Sequence, residues 1–241
     1  MGNQFGCIKP LRCQNSANGV RIEIVETLDQ SPATIHRILS TYEKRKNVEM
    51  DTATQEWFIG SENFRFGSAY LRRSGVVEHV RPFMRELMEE TGETANLGTE
   101  VHGEVMFLSQ VETHENIRAF FPPGTKSPMH ASGIGKALLA HAEPSKIAKY
   151  LDREKLESFT TNTISSPAAL QNELLKIKEQ GYAFDNEEKS TGMRCVAASI
   201  FNSYGEVIAG LSISGPSIRL PLDRIDQIGK LVRVKAVLLS R

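Results

Sequence analysis

Cysteine is scarce: Cys7, Cys13 and Cys195 are the only three in 241 residues. So sparse and odd a set fits a reducing cytoplasm better than a disulfide framework. No apolar run approaches the roughly 18 residues of a membrane-spanning helix. The first residues lack the apolar core of a secretory signal, and Gly6 stands where N-myristoylation needs serine or threonine. Excess charge is lacking too. Lys and Arg number 29, Asp and Glu number 29, and the net charge is zero. A surface coated in positive charge is excluded, whereas a local basic patch is not. The six histidines (His36, His79, His102, His114, His130 and His141) show no His-x3-His or His-Glu-x2-His spacing, so no metal site is expected and they read as surface or turn residues. No Gly-x-Ser-x-Gly nucleophile elbow occurs.

What remains is ordinary globular composition, 40% apolar and 24% charged, enough to bury a core without staples. Residues 1–18 are polar and aperiodic and read as an irregular arm. Ile22, Ile24, Val25 and Leu28 form a short apolar face. Ser31 and Pro32 then open a helix, serine as N-cap and proline at the first helical position. Ile35, Ile38, Leu39 and Tyr42 repeat at helical spacing. The run ends in Lys44-Arg45-Lys46-Asn47, with Asn47 expected as a left-handed cap. Val48 to Gly60 alternates around a polar centre, as a β-hairpin does, with Trp57 as its core anchor. Short helix, turn, basic-ended helix and hairpin is the order of a winged helix-turn-helix over 1–60, although residues 1–18 supply no preceding helix.

Residues 61–76 read as a linker helix with Phe64, Gly67, Ala69 and Tyr70 inside, broken by Gly75. A helix over 77–90 follows, with Val80, Phe83, Met84, Leu87 and Met88 on one side and Gly92 as its stop. The rest of 77–241 alternates strands and helices. Strands are expected at 94–101, 104–112, 117–121, 195–201 and 207–213; helices are expected at 133–141, 144–151, 167–180 and 222–239. Antiparallel strands with helices packed around them indicate an α+β fold.

Several residues carry chemistry. The Ser132-Gly133-Ile134-Gly135-Lys136 run fails as a phosphate loop, because His130 falls on its first glycine and Ala137 on its Ser/Thr. Glycines opening a helix still leave outward backbone N–H groups that suit a carboxylate; tight packing is the plainer alternative. Ser212 and Ser214, two apart on a strand, aim their hydroxyls at one face. Their partners are a small polar ligand or backbone carbonyls. Cys195 begins the neighbouring strand and serves there as a small hydrophobe or as a contact. Asp185 accepts from a ligand or caps a turn. In the helix opened by Ser31, the residues Ser31, Ala33, Thr34, His36 and Arg37 occupy the stretch that a recognition helix presents to base edges, with Arg37 able to reach guanine. Glu187 and Glu188 are adjacent in an extended segment, point opposite ways and make a poor catalytic pair.

Long blocks resemble the IclR family of bacterial transcription regulators. They are Pro128-Met129-His130-Ala131-Ser132-Gly133-Ile134-Gly135-Lys136-Ala137-Leu138-Leu139-Ala140, the stretch from Gly181 to Glu188, Gly192-Met193-Arg194-Cys195-Val196-Ala197-Ala198, and Leu211 to Arg219. Gly92-Glu93-Thr94-Ala95-Asn96 matches as well. At the front, Glu23-Ile24-Val25 and Ala33 to Leu39 resemble the family's second and recognition helices. The family's Gly-Leu-Pro between them is replaced by Asp29-Gln30-Ser31, its first helix has no counterpart, and Arg241 falls before the usual end of its last helix.

The resemblance implies a GAF-like α+β effector-binding domain and a DNA-binding repressor. Such a protein would be a cytoplasmic dimer or tetramer on a double-stranded operator, joined through the linker helix and without an enzyme activity. It also implies a pocket for a small carboxylate such as glyoxylate or pyruvate, held by Gly133, Ile134, Asp185, Cys195, Ser212 and Ser214 with Met193 and Ala119 as walls. Ile134 stands where relatives carry alanine, and Ser127 where they carry an apolar wall residue. Two other readings are an effector module without DNA binding that works through mixed oligomers, and a small-molecule enzyme using Cys195.

Overall fold

A computed structural model of the protein describes residues 28–53, 56–153 and 155–240. They belong to two units, one ending at Ser74 and one beginning at Gly75. The expected arm over 1–18 and the apolar face from Ile22 to Val25 lie outside the described residues.

The first unit is built on α1 (Pro32–Glu43). Ser31 caps it by accepting the Thr34 N–H, which satisfies one of the amides a helix start leaves open. Ile35 is its buried residue. The basic residues lie just past the helix end, and Lys46, rather than Asn47, takes the left-handed conformation at φ 55°. Asn47 is engaged otherwise: its N–H donates to the Tyr42 carbonyl, and its own carbonyl receives the Asn63 side chain. β1 (Val48–Asp51) and β2 (Glu56–Ile59) pair antiparallel, Met50 opposite Trp57. Trp57 is buried and meets the His36 ring edge-on at 6.1 Å. α2 (Glu62–Ser74) follows. The expectation that Phe64, Gly67, Ala69 and Tyr70 lie inside is corrected: all four are exposed, Phe64 by 81%. The helical spacing is real, but no described element covers that face.

In the second unit Gly75 breaks the helical run at φ 60°, and α3 (Val76–Thr91) begins. It buries Val80, Met84, Leu87 and Met88 and stops at Gly92, whose φ of 77° is the left-handed form glycine tolerates. The six-stranded sheet has the order β5-β4-β3-β8-β7-β6, every pair antiparallel. Its strands are β3 (Thr94–Val101), β4 (Glu104–Val111), β5 (Lys126–Pro128), β6 (Ala183–Asn186), β7 (Met193–Phe201) and β8 (Val207–Pro216). The helices are α4 (Gly133–Ala140), α5 (Pro144–Arg153), α6 (Pro167–Gln180) and α7 (Leu222–Leu239). α4 lies on one face, over β7 and β8; α3 and α7 pack on the other. Strand alternation divides the residues accordingly. Cys195, Ala197, Ser212 and Ser214 face α4, while Val196, Ala198, Leu211 and Ile213 face away.

One expected strand is absent, and two strands appear that were not expected. Residues 117–121 form no strand. Pro122 and Pro123 cannot donate to a ladder, and Ile117 and Phe120 are exposed while Phe121 stacks on Phe107 at 4.7 Å. The edge strand of the sheet is instead the three-residue β5. The opposite edge, β6, is a four-residue strand that alternation alone is too short to reveal. His130 also departs from the surface reading: it is buried, with its ring against the Tyr150 hydroxyl and the Glu157 carbonyl.

Candidate functional site

Strand register assembles the site. Asp185 pairs with Cys195, Cys195 with Ser214, and Ser214 with Thr94, forming one row across four strands. The next row runs Ala183, Ala197, Ser212, Asn96 and Gln110. All these side chains belong to the face that α4 covers. The α4 N-terminus is seated on the join of the two rows. A methyl group placed on Gly133 would lie 2.7 Å from Cys195 Sγ and 3.4 Å from Ala197 Cβ. Gly133 thus permits the close packing that was the plainer of its two readings, and it brings the helix start up against Cys195. Ser132 caps the helix by accepting the Gly135 N–H at 3.1 Å. Among the described residues the Gly133 and Ile134 N–H groups donate to no carbonyl. Gly135 is a packing glycine, pressed against the Met129 backbone.

The two serine hydroxyl oxygens are engaged by a side chain from the neighbouring strand. Asn96 Nδ2 donates to Ser214 Oγ at 3.2 Å and, more weakly, to Ser212 Oγ at 3.5 Å. Asn96 is itself fixed by Gln110, whose amide donates to Asn96 Oδ1 at 3.0 Å and to the Ala119 carbonyl at 3.3 Å. Because each serine oxygen accepts from Asn96, its own hydrogen is left to donate. Cys195 Sγ takes hydrogen bonds from both hydroxyls. Burial pushes its thiol up to about 11, aided by the nearby Asp185 charge, so it stays a neutral thiol.

Asp185 is buried, accepts the Glu188 N–H at 2.8 Å, and is pushed up to about 7 by burial and by the Glu188 charge. Behind it lies a buried ion cluster that sequence reasoning missed. Lys136 is 0% exposed. Its ammonium donates to Glu188 Oε1 at 2.6 Å, Glu173 Oε1 at 3.1 Å and the Phe184 carbonyl at 2.5 Å. Burial opposes that charge, but Glu188 and Glu173 outweigh it and hold Lys136 above the ordinary lysine range. Burial also raises Glu188, in part countered by Lys136. The signal was available: a single charge inside the otherwise apolar α4 must find a partner. Glu187 meets Arg194 at 3.4 Å, away from Lys136, but the segment is not extended as expected: Glu187 is left-handed at φ 62° and the chain bends there after β6.

The remaining expected contacts are placed as follows. Met193 shares the face of Cys195 two residues along and is partly exposed, as Cys195 is. Ala119 is buried and enters through its carbonyl. The Ile134 side chain is not aimed at the serines. It lodges over Gly98 and Gly210, where added methyl groups would meet it at 3.4 and 2.7 Å; only its backbone faces the rows. In the first unit Ser31, Ala33, His36 and Arg37 are exposed and Thr34 is partly buried. Among the described residues no three His, Cys, Asp or Glu side chains gather as a metal site, and no helix is long and apolar enough to cross a membrane.

The α4 N-terminus, Cys195 and the two serines thus lie together on one face of the sheet. Comparison with known proteins agrees with this kind of domain. The family model described as "Bacterial transcriptional regulator IclR C-terminal" matches residues 68–241. The chain is 54% identical over 210 residues to the HTH-type transcriptional regulator BhcR of Paracoccus denitrificans (strain Pd 1222), which spans 87% of this chain and 75% of that protein. Against the transcriptional repressor IclR of Escherichia coli (strain K12) it is 37% identical over 212 residues, 87% of this chain and 77% of the other. The crystal structure of the Thermotoga maritima IclR superposes with a TM-score of 0.74 at 29% identity, covering 95% of this chain and 92% of that one. These relatives are regulators rather than enzymes. The chain is a member of the IclR family, a bacterial transcriptional regulator whose residues 68–241 carry the family's C-terminal domain.

Proposed function

We propose that the protein is a cytoplasmic repressor whose grip on operator DNA is set by a small 2-oxo acid, glyoxylate or pyruvate, bound against α4. The observation that carries this reading is the convergence of the Gly133 and Ile134 amides with the Cys195, Ser212 and Ser214 side chains. The amides suit a carboxylate, and the two hydroxyls, on turning from Cys195 Sγ, would donate to the neighbouring carbonyl oxygen. The winged helix-turn-helix belongs to the same proposal. The Ser31-capped α1 and the β1–β2 hairpin support it, with Ala33, His36 and Arg37 exposed along the helix. So does assembly as a dimer or tetramer, supported by the uncovered Phe64, Phe66 and Tyr70 of α2. A single short reading helix contacts few bases, and a two-fold site doubles them. A catalytic use of Cys195 is disfavoured, since its raised thiol leaves almost no thiolate.

Two measurements test the reading together. Glyoxylate or pyruvate at 100 times its dissociation constant should stabilise the native state by about 2.7 kcal/mol. The same acid should weaken a gel-shift complex with DNA upstream of the protein's own gene, because only a ligand with unequal affinity for two states changes DNA binding. No complex at low salt would defeat the DNA half. No thermal shift with any small 2-oxo or 2-hydroxy acid would defeat the effector half.

A further inference from the structure

The carboxylates around Lys136 outnumber their cation. Lys136 has three donors, and Glu188, Glu173 and the Phe184 carbonyl use all three. Glu173 keeps solvent access through a side chain that is 23% exposed. Asp185 and Glu188 are buried and share what is left of one positive charge. The turn makes them close neighbours, because the Glu188 N–H donates to Asp185 Oδ1. The other oxygen of Glu188, Oε2, is buried and is the single such side-chain atom among the described residues without a hydrogen-bond partner. An ionised carboxylate oxygen left bare in the interior is expensive; a protonated one costs far less.

The other ionisable groups that face this cluster do not remedy the imbalance. On β7, Arg194 is committed to Glu187, Asn186 and the Leu220 carbonyl, and Cys195 stays a neutral thiol. On the 186–189 turn, Lys189 lies over the Phe159 ring at 3.3 Å. On α6, Glu173 adds negative charge.

We propose that Asp185 and Glu188 share one exchangeable proton, and that an anion seated at the Gly133 amides retains it, so that the protein reads acidity together with its ligand. The second half rests on the effector reading above; the first half does not. The chemistry is simple. A carboxylate ligand beside Cys195 adds negative charge one strand away from Asp185. Keeping a proton on the Asp185–Glu188 pair removes one negative charge from the same small volume, so the ligand and the proton bind cooperatively.

The sign for the ligand-free protein follows from linkage. Both carboxyl groups lie above their ordinary range, Asp185 at about 7. The folded protein keeps a proton that the unfolded chain has already released, so stability falls as pH rises and levels off once the fold also lets go. A buried neutral histidine gives the opposite slope. In urea unfolding from about pH 5.5 to about pH 8, the folding constant should fall by up to tenfold per pH unit below neutrality. Glu188→Gln keeps an acceptor for Lys136 and removes one negative charge, so that slope should flatten. Asp185→Asn carries the same readout should Glu188→Gln fail to fold, and carboxyl-carbon NMR of the wild type reports the two groups directly. A flat wild-type profile, ordinary carboxylate titration by NMR, or an undiminished slope in both variants overturns the shared proton.

Calorimetric titration with glyoxylate tests the coupling. Affinity should weaken about fivefold from about pH 7 to about pH 8, with proton uptake rising from about half a proton toward one per ligand. A pH-independent affinity overturns the coupling. If glyoxylate and pyruvate bind at no pH, the effector reading fails, while the stability profile still decides the proton.

Discussion

Replacing Gly133 by alanine tests whether the helix start is pressed against Cys195. The added methyl group would lie 2.7 Å from Cys195 Sγ, about 1 Å inside ordinary contact distance. The sulfur cannot simply swing away, because Ser212 and Ser214 hold it. Overpacking of this kind costs roughly 1–3 kcal/mol. Alanine is a better helix residue than glycine by up to about 1 kcal/mol, so the net loss should be roughly 1–2 kcal/mol. Cys195→Ala removes the clashing atom. The two remaining contacts, to Cys195 Cβ and Ala197 Cβ, are both 3.4 Å, which is tight but tolerable. In that background Gly133→Ala should be neutral or slightly stabilising. Urea unfolding of the four proteins closes a double-mutant cycle with an expected coupling of about 2 kcal/mol. Additive effects within about 0.5 kcal/mol would refute the contact, and with it the seating of the amides over the thiol.

Three further outcomes follow from other contacts. Lys136→Met leaves Glu188 and Asp185 without their cation and should destabilise the protein by roughly 3–5 kcal/mol in urea unfolding near pH 8; adding Glu188→Gln should restore a good part of that. Ser31→Ala removes the α1 cap seen in the Thr34 N–H contact and should cost about 1 kcal/mol, read as earlier thermal unfolding of the first unit alone. Arg37→Ala should weaken operator binding by roughly 1–3 kcal/mol at fixed salt, with an unchanged circular dichroism spectrum. Unaltered affinity would remove Arg37 from the reading surface.

Local chemistry was what the sequence displayed well. α6 occupies Pro167–Gln180 as expected, because Ser166 caps it and Gly181 ends it at φ 81°. The span of α7 was equally plain from its helical repeat. The serine pair and Cys195 could be put on one face from strand alternation alone. Register could not be read in the same way. That Cys195 lies opposite Ser214 and Asp185 depends on strand pairings between distant segments. The Lys136–Glu188 contact spans 52 residues, and Asn96 reaches Ser214 across 118. The apolar run from Ile117 to Phe121 resembled a strand because period counts cannot see that two prolines follow and that Phe107 offers a ring to stack on. The Phe64 face of α2 was read as interior for a related reason: periodicity reports that a face is apolar, not what covers it.

Ile134 has a consequence for how selective this protein can be. Its branched side chain is wedged into a notch that exists only because Gly98 and Gly210 carry no side chains. Retreat of the helix to admit a bulkier guest would pull that wedge out and leave a void in the sheet's packed face. The helix start is thus keyed in place against the sheet, and under the proposed effector reading adjustment would fall to the partly exposed Met193. On that reading the protein would discriminate by size at the helix and by adaptability at a single flexible thioether.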